Sequence, residues 1–249
     1  MKILLIHLGD PCDCLPATSV ILGLAKKYNH YDKYRRVLID VVASDNECCQ
    51  IFKSCSYVRE SKPSHKIPRN WFEFPYDIAS SIWPSFDIEK SSFNSKKKLG
   101  FGTNKNLDIL SDALLGNKKT SKNIFQIYYN LCDMKWKGEG YGLNIRPNTK
   151  NKKNKTGLAI ANANLREYIV DKLHLDESKL SIIPYRKNMR QKINEINRCG
   201  RIVTDNMCTM HIALALRKEV HFLKTIPLSF RLEMFGSGKV FTVPTRVVI

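Results

Sequence analysis

The chain opens on a run of apolar positions, Ile3, Leu4, Leu5 and Ile6, too continuous for a strand with one wet face. Such a run predicts a parallel strand over Lys2–Leu8 covered on both sides. Gly9, Asp10 and Pro11 punctuate it, and the stretch DPCDCLP reads as a short loop. From Ala17 to Tyr28 the apolar positions Val20, Ile21, Leu24 and Ala25 fall at helical spacing, and Lys26 and Lys27 supply the charge that suits a helix C-terminus. Val37–Ala43 is the next β-branched strand, Asn46–Phe52 a short helix, and Tyr57 and Val58 begin a third edge.

The middle of the chain breaks this rhythm. Between Glu60 and Pro84 aromatic residues alternate with Pro and charge, and Trp71, Phe72, Phe74 and Tyr76 suit a tight loop packed on the core. Ser91–Lys105 has the Ser, Lys, Asn and Gly content of an exposed loop. Helical spacing returns over Leu107–Leu115 and over Asn123–Cys132, and the run KNKKNK after Pro147 reads as a linker or exposed loop. A second α/β series starts at Thr156. It comprises a strand in TGLAIAN, a helix over Ala163–Leu173, a strand over Leu180–Ile183 and a helix over Met189–Asn197. A strand at Ile202 and Val203 follows, then a helix in TDNMCTMHIALAL and edges over Val220–Leu223 and Val240–Val243. The predicted class is α/β with open, mostly parallel sheets, whose ligands bind beyond the strand carboxyl ends. Residues 1–145 form one Rossmann-like domain, 146–155 a basic linker, and 156–249 a reduced second Rossmann-like domain.

Composition narrows the class without choosing a partner. A chain of 249 residues that is 43% hydrophobic can bury a core without metals or disulfides. Its 41 Lys plus Arg against 23 Asp plus Glu give a formal charge of +18, which favours anionic partners: nucleic acid, an anionic membrane face, a nucleotide or an acidic glycan. The eight Cys include no CxxC pair, so free thiols in a reducing cytoplasm are expected rather than a zinc knuckle. The first apolar run is too short to span a membrane and no signal cleavage pattern follows it.

Two strand-to-helix junctions carry candidate chemistry. After the first strand stands Asp13, which can act as a general base toward a hydroxyl or simply stabilise a helix start. Thr18 and Ser19 can cap the helix or touch phosphate, and Gly9 alone does not make a Gly-rich nucleotide loop. The second junction is Thr204, Asp205, Asn206, Met207, Cys208, Thr209, Met210 and His211, where amides at a helix start can meet a diphosphate. Asp205 or Asn206 can hold a sugar hydroxyl, and His211 can bond sugar or phosphate or be a core histidine; Met207 and Met210 are pocket or core filler. Arg186, Lys187 and Arg190 can neutralise a pyrophosphate or form a solvated helix start.

On these residues the chain resembles the heptosyltransferase-like glycosyltransferases of family 9. The N-terminal MKILLIHLGDPCDCLPATSVILGLAKKY looks like the family's first strand, Gly-containing loop with an Asp, and Thr-containing helix start. RIVTDNMCTMHIALAL is similar to its strand followed by an Asp-Thr-Gly-Pro-Met-His-type loop, and NIFQIYYNLCDMKW is a weaker intermediate match. In the second loop the family's acid falls on Asn206, its Gly on Cys208 and its Pro on Thr209, with Asp205 one place early, so the donor motif is altered.

The resemblance implies two Rossmann-like domains in a glycosyltransferase-B-like arrangement, acceptor contacts in the first and nucleotide-sugar contacts in the second. It implies metal-independent, cofactor-free transfer of a sugar, with nucleotide-activated heptose such as ADP-heptose as donor and a lipopolysaccharide core sugar as acceptor. Asp13 then corresponds to the base, Thr18 to a residue near the acceptor, and Thr209, Met210 and His211 to the donor loop. A cytoplasmic protein, resting peripherally on the inner face of a membrane where its acceptor requires it, is the matching expectation. Two alternatives stand: a transferase for an anionic acceptor other than lipopolysaccharide, and a basic protein that binds nucleic acid or an acidic surface on a transferase-derived scaffold. Oligomeric state stays open.

Overall fold

In the computed structural model, which describes residues 1–29, 37–103, 112, 114, 119–145, 155–184, 188–224 and 239–242, the opening apolar run is the centre of a sheet. Strand β1 (Lys2–His7) lies between β2 (Leu38–Ala43) and β4 (Tyr76–Ser81), and Ile3 to Ile6 are wholly buried. Each such aliphatic side chain contributes about 1.5–3 kcal/mol on burial. With β3 (Val58–Pro63) and β5 (Ser95–Gly100) the order is β3-β2-β1-β4-β5, every pair parallel. Helices α1 (Pro11–Asn29), α2 (Asn46–Lys53), α3 (Arg69–Glu73) and α4 (Ile124–Leu131) complete this unit, which contains Met1–Asn144.

Two strands of this sheet contradict the loop reading of the middle of the chain. The sequence YDIASS of β4 has one large aliphatic residue, yet Ala79, Ser80 and Ser81 are fully buried because small side chains let the covering layer close over them. The lysines of β5 suit an edge strand, where charge discourages pairing with another chain. Lys97 pairs there with Asp133 at 3.3 Å. Phe72 stacks on Phe93 with ring centroids 4.6 Å apart, and Trp71 and Tyr76 join the same buried cluster. Strand β2 also buries Asp40, which the Arg59 guanidinium grips through Nε and Nη2 and to which the Tyr76 hydroxyl donates at 3.0 Å. A buried carboxylate is tolerable only when partnered in this way.

The second unit begins at Ile145 and repeats the logic. Its elements are β6 (Thr156–Ala159), α5 (Ala163–Lys172), β7 (Leu180–Ile182), α6 (Met189–Asn197), β8 (Arg201–Thr204), α7 (Met207–Ala215), β9 (Glu219–Lys224) and β10 (Lys239–Thr242). The order β7-β6-β8-β9-β10 is again wholly parallel. This sheet has as many described strands as the first, and its shortest, β7, has three residues. KNKKNK, except Lys155, and most of Leu107–Leu115 lie outside the described residues. In each sheet the order reverses beside the unit's first strand, at β1/β4 and at β6/β8, which makes a crevice at the strand carboxyl ends.

Candidate active site

The first reversal point is built around the turn after β1. Asp10 caps α1: its Oδ1 accepts the Cys12 amide at 2.7 Å and the Asp13 amide at 3.2 Å, and its carbonyl accepts the Asp13 and Cys14 amides at 3.1 and 3.0 Å. Pro11 occupies the first helical position, where a missing N–H removes no bond. The helix therefore starts at Pro11, not Ala17, and Asp13 stands in its first turn, not in a loop. The two prolines had disguised this turn, since Pro16 lies within the helix as well.

That early start reassigns several side chains. Asp10 does the capping, so the helix-start role does not need the Asp13 carboxyl. Burial, and then the charge of Asp10, push the Asp13 carboxyl up from its ordinary 3.8 to about 7, against a backbone bond from Asp10 that lowers it. Thr18 and Ser19, by contrast, are fully buried in the middle of α1. Thr18 donates to the Leu15 carbonyl at 2.6 Å and accepts the Gly142 amide at 3.1 Å; Ser19 meets the Tyr129 hydroxyl at 3.3 Å and the Glu139 carbonyl at 3.2 Å. Their hydroxyls tie a passing strap of chain to the middle of the helix, which corrects the expectation that they cap it.

Three residues that the sequence does not single out for chemistry pack together beside the start of α1. His7, wholly buried at the end of β1, has its Nε2 3.2 Å from the Tyr128 hydroxyl and its Nδ1 3.4 Å from Cys14 Sγ. Burial drives its pKa down to about 3, so it stays neutral. The Tyr128 hydroxyl also lies 3.5 Å from the Asp13 carbonyl, which links α4 to the helix start. Trp83, just past β4, lies with its ring centroid 5.0 Å from that of His7. A Cβ on Gly9 would stand 2.6 Å from the indole and 2.8 Å from the imidazole, so only glycine lets the turn pass beneath them. A histidine ending a buried strand was the visible signal; Trp83 was hidden because β4 was.

At the second reversal point the Thr204 hydroxyl donates to the Ala159 carbonyl at 2.8 Å, tying the ends of β8 and β6, and accepts the Asn206 amide at 3.0 Å. Asn206 caps α7, its Oδ1 accepting the Thr209 amide at 2.8 Å and the Thr209 hydroxyl at 3.1 Å. Those two oxygens are thereby committed to the helix, and the Nδ2 of Asn206 is the side-chain atom that can donate to a ligand. Met210 is fully buried core, and His211, deep in α7, is held neutral by burial that lowers its pKa to about 3. It offers no positive charge to a diphosphate. Asp205 occupies the bend between β8 and α7. Arg190 is exposed near the start of α6, while Arg186 and Lys187 lie outside the described residues.

A second helix start, unforeseen, opens on the same crevice. Asn162 caps α5 by accepting the Leu165 amide at 2.9 Å, and Arg166 donates to the Ile160 carbonyl at 3.0 Å, just beyond β6. Because β6 and β8 are neighbours, paired Ala159 to Thr204, α5 and α7 both start beyond the carboxyl ends of adjacent strands. Two such termini and a guanidinium form a site suited to an anion. Among the described residues no group of three or more His, Cys, Asp or Glu is placed to hold a metal ion, and the eight cysteines are free thiols. No described helix is long and apolar enough to cross a membrane.

Comparison of the whole fold with solved structures decides the class. The fold is that of the heptosyltransferases. Escherichia coli ADP-heptose lipopolysaccharide heptosyltransferase II superposes with a TM-score of 0.67 at 16% identity, over 98% of this chain and 91% of that one. A glycosyl transferase of family 9 from Veillonella parvula gives 0.67 at 12% identity, over 97% and 86%. E. coli heptosyltransferase WaaC, solved with ADP-2-deoxy-2-fluoro heptose, gives 0.62 at 10% identity, over 98% and 94%. No family model matches the sequence, and no curated protein matches it. The likeness therefore resides in two Rossmann-like units in succession, the glycosyltransferase-B-like class, and not in shared sequence.

Proposed function

We propose that this protein is a glycosyltransferase that moves a sugar from a nucleotide-diphosphate donor to a hydroxyl of an acceptor glycan. The observation that carries the reading is the Asp13 carboxyl, held near pKa 7 at the reversal point of the first sheet in a heptosyltransferase-like fold. A carboxyl so poised is half ionised at neutral pH and can take a proton as readily as it holds one. The acceptor oxygen attacks the anomeric carbon, the bond from that carbon to the diphosphate breaks, Asp13 receives the hydroxyl proton, and the nucleoside diphosphate leaves with the electron pair. The paired starts of α5 and α7, with Arg166, are the groups we assign to the diphosphate and to the charge that develops on it.

For the donor we propose ADP-heptose, since similar structures were solved with ADP and with an ADP-heptose analogue. An anionic acceptor glycan is the class that the formal charge of +18 favours. The test is a donor and acceptor screen read by mass spectrometry of intact products, with ADP-heptose first and Asp13→Asn alongside. We expect transfer by the native protein, and a loss of at least a hundredfold in turnover with ADP affinity unchanged in the variant. Equal turnover in the two proteins removes Asp13 from its role. Absence of both ADP binding and transfer would favour a binding protein on this scaffold.

A further inference from the structure

The C-terminal end of α1 carries a second concavity. Lys26 and Lys27 in its last turn, together with the segment after α4, line a cavity of about 450 Å³ in the first unit. Thirteen residues of helix at 1.5 Å each put Lys26 about 20 Å from Asp13, so this is not the site described above. Its floor is Tyr129, whose phenol fills the notch left by Gly23, where a Cβ would stand 2.6 Å from the ring, and Met134 beside it. Lys135 and Lys137 stand on the far wall.

The wall is held by bonds. The Met134 amide donates to the Tyr129 carbonyl at 2.9 Å, the Trp136 indole to the Glu139 carbonyl at 2.9 Å, and the Lys137 amide to the Glu139 carboxylate at 2.8 Å. Lys27 donates its ammonium to the Asp133 carbonyl at 2.9 Å, which joins the helix to the loop. Within this frame Lys26, Lys27, Lys135 and Lys137 converge from two segments, and Lys97 of β5 reaches the Asp133 carboxylate at 3.3 Å. Five ammonium groups against the carboxylates of Asp133 and Glu139 leave three positive charges in excess. The C-terminus of α1 opposes an anion with about half a charge, which the lysines outweigh.

We propose that this cavity binds a small ligand bearing two or more phosphate groups, with its carbon frame against Met134 above the buried Tyr129. Exposed single ammonium–phosphate contacts are individually weak and screened by salt, so a ligand must engage several at once to be held. Two sources share that chemistry, a soluble metabolite with several phosphates and a lipid headgroup with several phosphates.

Titrating sodium tripolyphosphate into the full chain, followed by amide NMR at 50 and 200 mM salt, tests the site. Saturable shifts are expected at Lys26, Lys27 and Met134–Glu139, weaker at the higher salt. The double variant Lys135→Ala/Lys137→Ala should weaken binding there at least tenfold, while Lys172→Ala, in α5 of the second unit, leaves it unchanged. Both altered lysines are exposed, so the variant keeps its fold, and an unchanged spectrum elsewhere verifies this. Shifts confined to the starts of α5 and α7, or equal weakening by Lys172→Ala, would overturn the proposal. Vesicles carrying a phosphatidylinositol bisphosphate that bind through the same lysines and are displaced by tripolyphosphate identify the headgroup source; tripolyphosphate binding without vesicle binding identifies the soluble one.

Discussion

Replacing Asp13 by Asn should make the protein more stable at alkaline pH and leave it unchanged in acid. The folded carboxyl titrates near 7 and the unfolded one near 3.8, so between those values the folded state holds a proton that the unfolded state has released. Stability falls with rising pH wherever the folded state binds more protons, so the native protein weakens from about pH 4 and reaches its full penalty above pH 7. At 1.36 kcal/mol per pH unit the ceiling of that penalty is about 4 kcal/mol. Solvent on the open side of the first turn of α1 reduces it, and about 2 kcal/mol is the figure to expect. Asn has nearly the same shape and cannot ionise, so the variant escapes the penalty. The three tryptophans, Trp71, Trp83 and Trp136, all lie in the first unit, so intrinsic fluorescence during urea unfolding reads the unit that contains Asp13. Native and variant proteins should unfold alike at pH 4, with the variant ahead by about 2 kcal/mol at pH 8. A gap that does not change with pH, or one that opens toward acid, would refute the placement of the carboxyl.

Asp10→Asn keeps a competent cap but removes the second cause of the raised Asp13 pKa, so the acid limb of transferase activity should move below pH 7 while burial keeps it above 3.8. A pH–rate profile checks this, and an unmoved limb would show that Asp10 does not act on Asp13. Gly9→Ala drives a methyl against the Trp83 indole and should destabilise by about 1–3 kcal/mol, with Trp83→Leu relieving part of the loss in a double-mutant cycle by thermal unfolding. Asn206→Asp retains an acceptor for the Thr209 amide and should hold stability within about 0.5 kcal/mol, whereas Asn206→Ala should lose about 1 kcal/mol. Equal unfolding of these two variants would deny Asn206 its capping role.

The strands of this protein were legible where burial forces an apolar run and illegible where it does not. Ile3–Ile6 announced β1 because both faces of a central strand are covered, and the helix over Met189–Asn197 follows its apolar spacing. By contrast β4 depends on small buried residues and β5 on exposed lysines, and neither leaves a hydrophobic signature. The first junction was misread for a different reason. Proline usually breaks a helix, but at the first position of α1 it removes no bond, so a loop was inferred where a capped turn exists. Asp13 is legible as a candidate from its place after the first strand, while its raised pKa depends on burial and on the charge of Asp10 beside it. Trp83 and Arg166 leave no signal, because a single side chain carries no period, and His7 shows only as a histidine that ends a buried strand.

The altered second loop weighs less against donor binding than its sequence suggests. A helix start after a strand asks for Asn, Asp, Ser or Thr whatever ligand is present, because one of these must accept the orphan amides of the first turn. Asn206 meets that demand in α7, and Asn162 and Asp10 meet it in α5 and α1. Part of what a motif displays at this position is therefore a property of the helix and not of the nucleotide. What a diphosphate needs is the field and the free amides of the helix starts, and an uncharged cap leaves that field intact where a carboxylate would partly cancel it. On the proposed donor reading, Asn206 would therefore change which sugar hydroxyls are held, since an amide nitrogen donates where a carboxylate only accepts, and would leave the field of the helix starts available to the diphosphate.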